Sequence, residues 1–221
     1  MIESLPSTAV VRVGRASFDP AGFEGFEALI SRQAEYLIPA IEELPGLLRW
    51  FTGVSPEGST VQVSIWDSEE HARQMDTLRK MAVVARGEME AIGGVFERPI
   101  INYPIDWAIE PTAAGSLPSS AVIHVARGSF DPSRFGEVDA LAVKQADYLV
   151  PAIGALPGLL HWYTAVSPVG SIVNISIWDT GEHAEQMYTL KEMAEIARGE
   201  FTALGALTFA PIVDYPIVWS I

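Results

Sequence analysis

Asn174, Ser176 and Trp178 stand at alternate positions of the run Val173-Asn174-Ile175-Ser176-Ile177-Trp178-Asp179, which puts all three on one face of a strand. Val173, Ile175 and Ile177 take the other face. Asn174 has four hydrogen-bonding positions that need partners if it is buried. Either backbone or Ser176 satisfies it, or it lines a cavity whose few polar groups orient a ligand. Strand alternation sends His124 and Trp162 to the same side. His183 opens the stretch after Trp178. A histidine titrates near neutrality and suits proton abstraction, and the plainer reading is a helix-start histidine bonded to a neighbouring carboxylate or to backbone. Arg198, late in the same stretch, fits placement near a helix C-terminus, or the sharper role of holding a developing oxyanion. Taken singly, Trp178 and Met187 read as core.

Each of these residues has a counterpart earlier in the chain. Ser7 aligns with Ser119 at an offset of 119 − 7 = 112, and the match runs ungapped to Ile109 with Ile221, more than half of the paired positions being identical. Gln62, Trp66, His71 and Arg86 stand where the second copy has Asn174, Trp178, His183 and Arg198. Arg12 stands for His124, and Trp50 for Trp162. This is one domain duplicated, with a period far above those of solenoid repeats. The expected boundaries are 1–109 and 119–221, with a small-residue linker at 110–118. The differences Gln62/Asn174 and Arg12/His124 predict two non-equivalent pockets, copy two being the better candidate for a working site. Drift after duplication would look the same.

The elements that must position these residues follow one order in each copy. Residues 9–17 alternate as a strand closed by Asp19-Pro20. Residues 23–44 carry apolar side chains at helical spacing, with Pro39 expected to kink the helix or end its regular part. Residues 47–54 and 59–66 form a hairpin across Ser55-Pro56-Glu57-Gly58. Asp67 or Ser68 caps a second helix with the stripe His71, Met75, Leu78, Ala82, Ala85, Met89 and Ile92. A last strand is expected over 99–105. The order β-α-β-β-α-β is the ferredoxin-like split βαβ unit, whose helices cover one sheet face only. The fold class is therefore α+β: two ferredoxin-like repeats forming an intrachain α+β barrel, like a homodimer fused into one chain.

Composition narrows the partners. Twenty-eight acidic against fourteen basic residues leave a net charge of −14, which repels phosphate backbones and argues against nucleic acid. No cysteine is present, which removes thiolate metal sites and thiol catalysis. No run approaches a membrane span, and Met1-Ile2-Glu3-Ser4-Leu5-Pro6 lacks the regions of a signal peptide, so a cytoplasmic protein is expected. The four histidines form no clear metal set, His183 with His124 or His161 being the combination left open. No metal site is assigned. There is no Gly-rich phosphate loop, no H-E-x-x-H and no G-x-S-x-G.

Leu44-Pro45-Gly46-Leu47-Leu48, Ser64-Ile65-Trp66-Asp67 and Glu70-His71-Ala72, with their copies, resemble the antibiotic biosynthesis monooxygenase superfamily, of dimeric α+β barrel fold, over essentially the whole chain. The superfamily includes quinone-forming monooxygenases, haem-degrading enzymes, aldehyde-handling proteins and members of unknown role. Within it, the cofactor-independent anthrone monooxygenases carry an Asn four residues before the strand-end Trp and, in at least one member, an Arg twenty after it. Copy two matches with Asn174, Trp178 and Arg198, and copy one has Gln62 in place of the Asn. A helix Tyr of one such enzyme falls on Ala72 and Ala184, a departure. The resemblance implies oxidation of an anthrone-like or phenolic substrate by dioxygen to a quinone, with no cofactor. Asn174 would bond the enolate, Trp178 shape the slot, and Arg198 stabilise charge. His183 or His124 would be the base, with Gln62, Trp66, His71, Arg86, His124 and Trp162 binding substrate. A non-catalytic binding or structural barrel is the alternative. A haem protein is the third reading, disfavoured because the branch's helix Trp and haem-ligating His positions hold Met75 and Ala85, and Met187 and Ala197. The two repeats pair within the chain, and further oligomerisation is left open.

Overall fold

The computed structural model describes residues 5–110, 116–205 and 207–221. Met1 to Ser4, and most of the expected linker, therefore lie outside the described residues. In the first repeat the long strands are β1 (Val10–Ser17), β2 (Leu47–Ser55) and β3 (Ser59–Trp66), with helix α1 (Phe23–Glu42) between β1 and β2. A short helix α2 (Glu69–Arg73), a π-helical segment over Lys80–Ala85 and helix α3 (Arg86–Ala91) follow, then a two-residue strand β4 (Val95–Phe96) and β5 (Ile101–Ile109). The second repeat gives β6 (Val122–Ser129), α4 (Phe135–Gly154), β7 (Leu159–Ser167), β8 (Ser171–Trp178) and α5 (Gly181–Ala184). A π segment at Glu192–Ala197, α6 (Arg198–Ala203), β9 (Thr208–Phe209) and β10 (Val213–Ser220) complete it. The strands are hydrogen-bonded in the order β10-β2-β3-β1-β5-β7-β8-β6-β9, and β10 also pairs with β6. The fold is thus two ferredoxin-like repeats whose eight long strands make a closed ladder, the α+β-barrel class expected from the sequence.

The compact units are divided differently from the repeats. One contains Pro6–Asn102 with Tyr215–Ile221, and the other Tyr103–Asp214. Inside the first, β2 lies between β3 and the end of β10. Inside the second, β7 lies between β8 and β5. Each repeat's last strand therefore also completes the sheet of the other repeat's unit.

Three elements depart from the sequence expectation. Helix α1 runs through Pro39 to Glu42. The proline lies in the last turn, where one lost backbone donor interrupts little of the ladder. The expected second helix is broken: α2 gives way to a 3₁₀ turn at Gln74–Asp76, then to the π segment, before α3. The last strand starts later and ends later than expected, at Ile101–Ile109, and a register shift between Ile105 and Trp107 follows the internal Pro104. Arg86 and Arg198 consequently open the six-residue helices α3 and α6 instead of standing near a C-terminus.

The motif residues that make the two copies recognisable bind strand to helix. Gly46 and Gly158 have φ of +81°, and a Cβ at either would lie 2.1 Å from the Nδ1 of His71 or His183. His71 Nδ1 bonds Asp67 Oδ1, and His183 Nδ1 bonds Asp179 Oδ1, both at 2.6 Å. Asp67 N donates to Gly46 O, and Asp179 N to Gly158 O. The hydrogen bond from His71 holds the Asp67 carboxyl below its usual range. Among the described residues no helix is long and apolar enough to cross a membrane.

Candidate functional site

On the helix-facing side of β6, β7 and β8, the register places Ala126 and Thr164 opposite Asn174, and His124 and Trp162 opposite Ser176. The π segment and α6 pass above them. A π turn is wider than an α turn and leaves a carbonyl without its usual partner. Gln145 of α4 answers that need, its Nε2 donating to Ala197 O and to Glu200 Oε2. Tyr148 Oη donates to the same Glu200 oxygen. Those bonds, Tyr148 first, hold the Glu200 carboxyl below its ordinary value. The segment so held carries Met193, Ala194 and Ala197 to one wall of a cavity of about 410 Å³. Asn174, His124, Trp162, Arg198, Arg127 and Tyr188 also line it.

The polar groups of this cavity are oriented by bonds behind them. Trp162 Nε1 donates to Thr164 Oγ1, and Thr164 Oγ1 donates to Asn174 Oδ1, each at 2.8 Å. An indole N–H can only donate, so Thr164 Oγ1 accepts from Trp162 and keeps its own proton for Asn174 Oδ1. With Oδ1 as the acceptor, neither N–H group of Nδ2 has a partner among the described residues. His124, its side chain 4% exposed, bonds Asp214 Oδ1 through Nδ1 at 2.7 Å. A carboxylate at Nδ1 selects the tautomer that carries the proton there, so Nε2 presents its lone pair. Tyr188 packs edge-on to the imidazole. The Arg198 guanidinium makes no hydrogen bond or ion pair among the described residues; it lies over the Phe209 ring, 5.4 Å from the centroid.

The structure thus brings Asn174, Arg198, His124 and Trp162 to one cavity. It does not bring Trp178 or His183 there. Trp178 is fully buried in the core with Val122, Leu149, Ile153 and Met187, and its Nε1 donates to Ser176 Oγ at 2.8 Å. Ser176 is accordingly the indole's partner, and an indole N–H left unpaired there would cost about 1–3 kcal/mol. His183 is held by Asp179 and Thr180, the helix-start arrangement. Asp214, ninety residues from His124, carries no signal in the sequence beyond the Asn102/Asp214 difference between the copies.

The first copy builds a smaller cavity, about 270 Å³, lined by Arg12, Trp50, Gln62 and Arg86 among others. Trp66 and His71 do not line it. Trp66 bonds Ser64 inside the core, as its counterpart does Ser176. Trp50 Nε1 donates to Thr52 Oγ1, but Gln62, one methylene longer than Asn, turns its Oε1 toward Gly14. Arg12 bonds Asn102 and Asp76, and Arg86 bonds Glu90. Among the described residues no three His, Asp or Glu side chains converge as metal ligands.

No family model and no curated protein matches the chain. Solved structures match it in fold. A candidate monooxygenase from Fusobacterium nucleatum superposes over 97% of this chain and 94% of its own, with a TM-score of 0.66 at 7% identity. An anthrone oxidase-like protein gives 0.64 at 11% identity, covering 99% of this chain and 94% of its own. A ferredoxin-fold protein from Listeria monocytogenes, related to antibiotic biosynthesis monooxygenases, gives 0.54 at 8% identity, covering 96% of both chains. At such identities the shared property is the fold alone.

Proposed function

We propose that the second-copy cavity binds a planar anthrone-like or phenolic substrate and promotes its oxidation by dioxygen to a quinone. The observation that carries this reading is the Asn174 amide, whose Oδ1 accepts from Thr164 and whose two N–H groups have no partner among the described residues, in a cavity also lined by His124, itself bonded to Asp214. An anthrone has an acidic methylene opposite a carbonyl. His124 Nε2 takes a methylene proton while Asp214 holds the imidazolium that results. Asn174 Nδ2 donates to the oxygen that becomes the enolate, and Arg198 adds a positive charge to the same cavity. The enolate is electron-rich enough to reduce dioxygen itself. One oxygen atom becomes the new carbonyl, and the other leaves as water with the two methylene hydrogens. The balance closes without a further reductant.

Trp178 and His183 drop out of the site in this account, and His124 takes the role of base. The test is oxygen uptake with anthrone in metal-free buffer, measured above the uncatalysed rate. His124→Ala is expected to lower turnover about a hundredfold or more, the usual scale for a positioned base. Wild-type turnover in that variant would exclude the assignment.

A further inference from the structure

The first-copy cavity has a chemistry of its own. Four arginines line it (Arg12, Arg15, Arg86 and Arg98) with a single carboxylate, Asp76, in a chain whose net charge is −14. Three of the guanidinium groups are answered by protein carboxylates: Arg12 by Asp76, Arg15 by Glu97 and Arg86 by Glu90. Arg98 makes no hydrogen bond or ion pair among the described residues. The Gln62 amide on the cavity wall has no hydrogen-bond partner among them either. Four cations and three anions leave one positive charge at the cavity.

Arg98 is also where the two copies fall out of register. Ala16 pairs with Phe96. Its counterpart Gly128 (16 + 112) pairs with Phe209, which is 96 + 113. The backbone N–H donated to Arg15 O comes from Glu97, and that donated to Arg127 O from Ala210. Both chains then reach a proline, at Pro99 and Pro211, so the first copy has one residue more between its short strand and that proline. The extra residue is Arg98. Apart from Thr60 and Ser64, the remaining wall is apolar and soft, with Met75, Met81, Met89, Phe96 and Ile100.

We infer that the first-copy cavity is a separate binding site for a small organic monocarboxylate with an apolar or aromatic body. The carboxylate meets Arg98 and the Gln62 amide, and the body lies against the methionines and Phe96. A guanidinium matches a carboxylate with two parallel N–H···O bonds, and one negative charge balances the surplus. This site is independent of the oxygenase reading, since none of its residues belongs to the second cavity.

Calorimetric titration of the whole chain with benzoate and phenylacetate tests it, with benzamide as the neutral isostere and inorganic phosphate as the anion lacking a body. The expected result is saturable binding of the carboxylates, at least tenfold tighter than benzamide or phosphate. Arg98→Gln weakens it tenfold or more, and Ala82→Trp, which fills the cavity wall, abolishes it. Arg198→Ala, in the other cavity, leaves it within twofold. Absence of carboxylate binding, equal binding of benzamide or phosphate, or loss in Arg198→Ala with retention in Arg98→Gln would each overturn the inference.

Discussion

The two cavities arise from one duplicated architecture, and their lining shows what divergence has done to it. Both have the tryptophan–threonine bond on the central strands, the π segment above it and an arginine stacked on a phenylalanine. They differ at Arg12/His124, Gln62/Asn174, Asp76/Tyr188, Glu90/Thr202 and Asn102/Asp214, each pair separated by 112. In the first cavity Arg12 and Arg86 are neutralised in place by Asp76 and Glu90. In the second, both of those carboxylates are gone. Among the described residues Arg198 is left without a counter-ion, Asn174 with a directed amide, and His124 with a carboxylate at Nδ1. The first copy closes Arg12 and Arg86 on carboxylates, and the second turns the groups at the corresponding positions, His124 and Arg198, toward the space between sheet and helix.

The largest expected effect comes from erasing this difference. A combined His124→Arg and Asn174→Gln variant gives cavity two the first-copy side chains at two of these five positions, and anthrone-dependent oxygen uptake should fall to background. Retained uptake would mean that the divergent residues are not the source of activity. Removing the amide alone, in Asn174→Ala, should lower turnover about ten- to a hundredfold, as loss of one directed hydrogen bond to developing charge does.

What the copies share should respond alike in both. Gly46→Ala and Gly158→Ala each put a Cβ against a histidine ring and force a non-glycine residue to a φ of +81°. Each is expected to destabilise by about 2–4 kcal/mol in denaturant melts. A loss confined to one copy would show that the shared motif has acquired a role beyond structure there.

A smaller effect marks an acid found in one repeat only. Asp106, where the second repeat has Val218, is pushed up to about 8, first by burial and then by the charge and hydrogen bond of Asp139. Its Oδ2 is buried with no hydrogen-bond partner among the described residues. Between the ordinary carboxyl value and about 8, the native state holds a proton that the unfolded chain releases. Its contribution to stability is greatest in acid and declines as pH rises through that window. Asp106→Asn should therefore gain on the wild type in thermal melts from pH 5 to pH 9, by about 1–2 kcal/mol at the alkaline end. An unchanged difference across that range would contradict the assigned shift.

Much of the fold was legible because it rests on local signals. Strand 59–66 is read to the residue from alternation between a Ser-Pro-Glu-Gly turn and an Asp-Ser cap. The duplication is visible in identities that keep Gly46, Asp67 and His71 together for packing reasons. The broken second helix was not legible, because its apolar stripe continues across the 3₁₀ and π segments, and side-chain periodicity does not report a backbone that changes pitch. The pairing of each last strand with the other repeat was hidden because pairing across more than fifty residues has no local signature. The candidate site was half legible. Asn174, Arg198, His124 and Trp162 follow from strand alternation and resemblance. Trp178 and His183 have the right residue types but are consumed by the core and by Asp179. Asp214 becomes meaningful only once β10 lies beside β6.

The most direct test of the account is a paired measurement of oxygen uptake on anthrone by Asn174→Ala and Gln62→Ala in otherwise identical chains. The two-cavity account predicts that Asn174→Ala loses at least nine-tenths of the turnover while Gln62→Ala stays within twofold of the wild type. Equal losses in both variants, or full activity in Asn174→Ala, would contradict it.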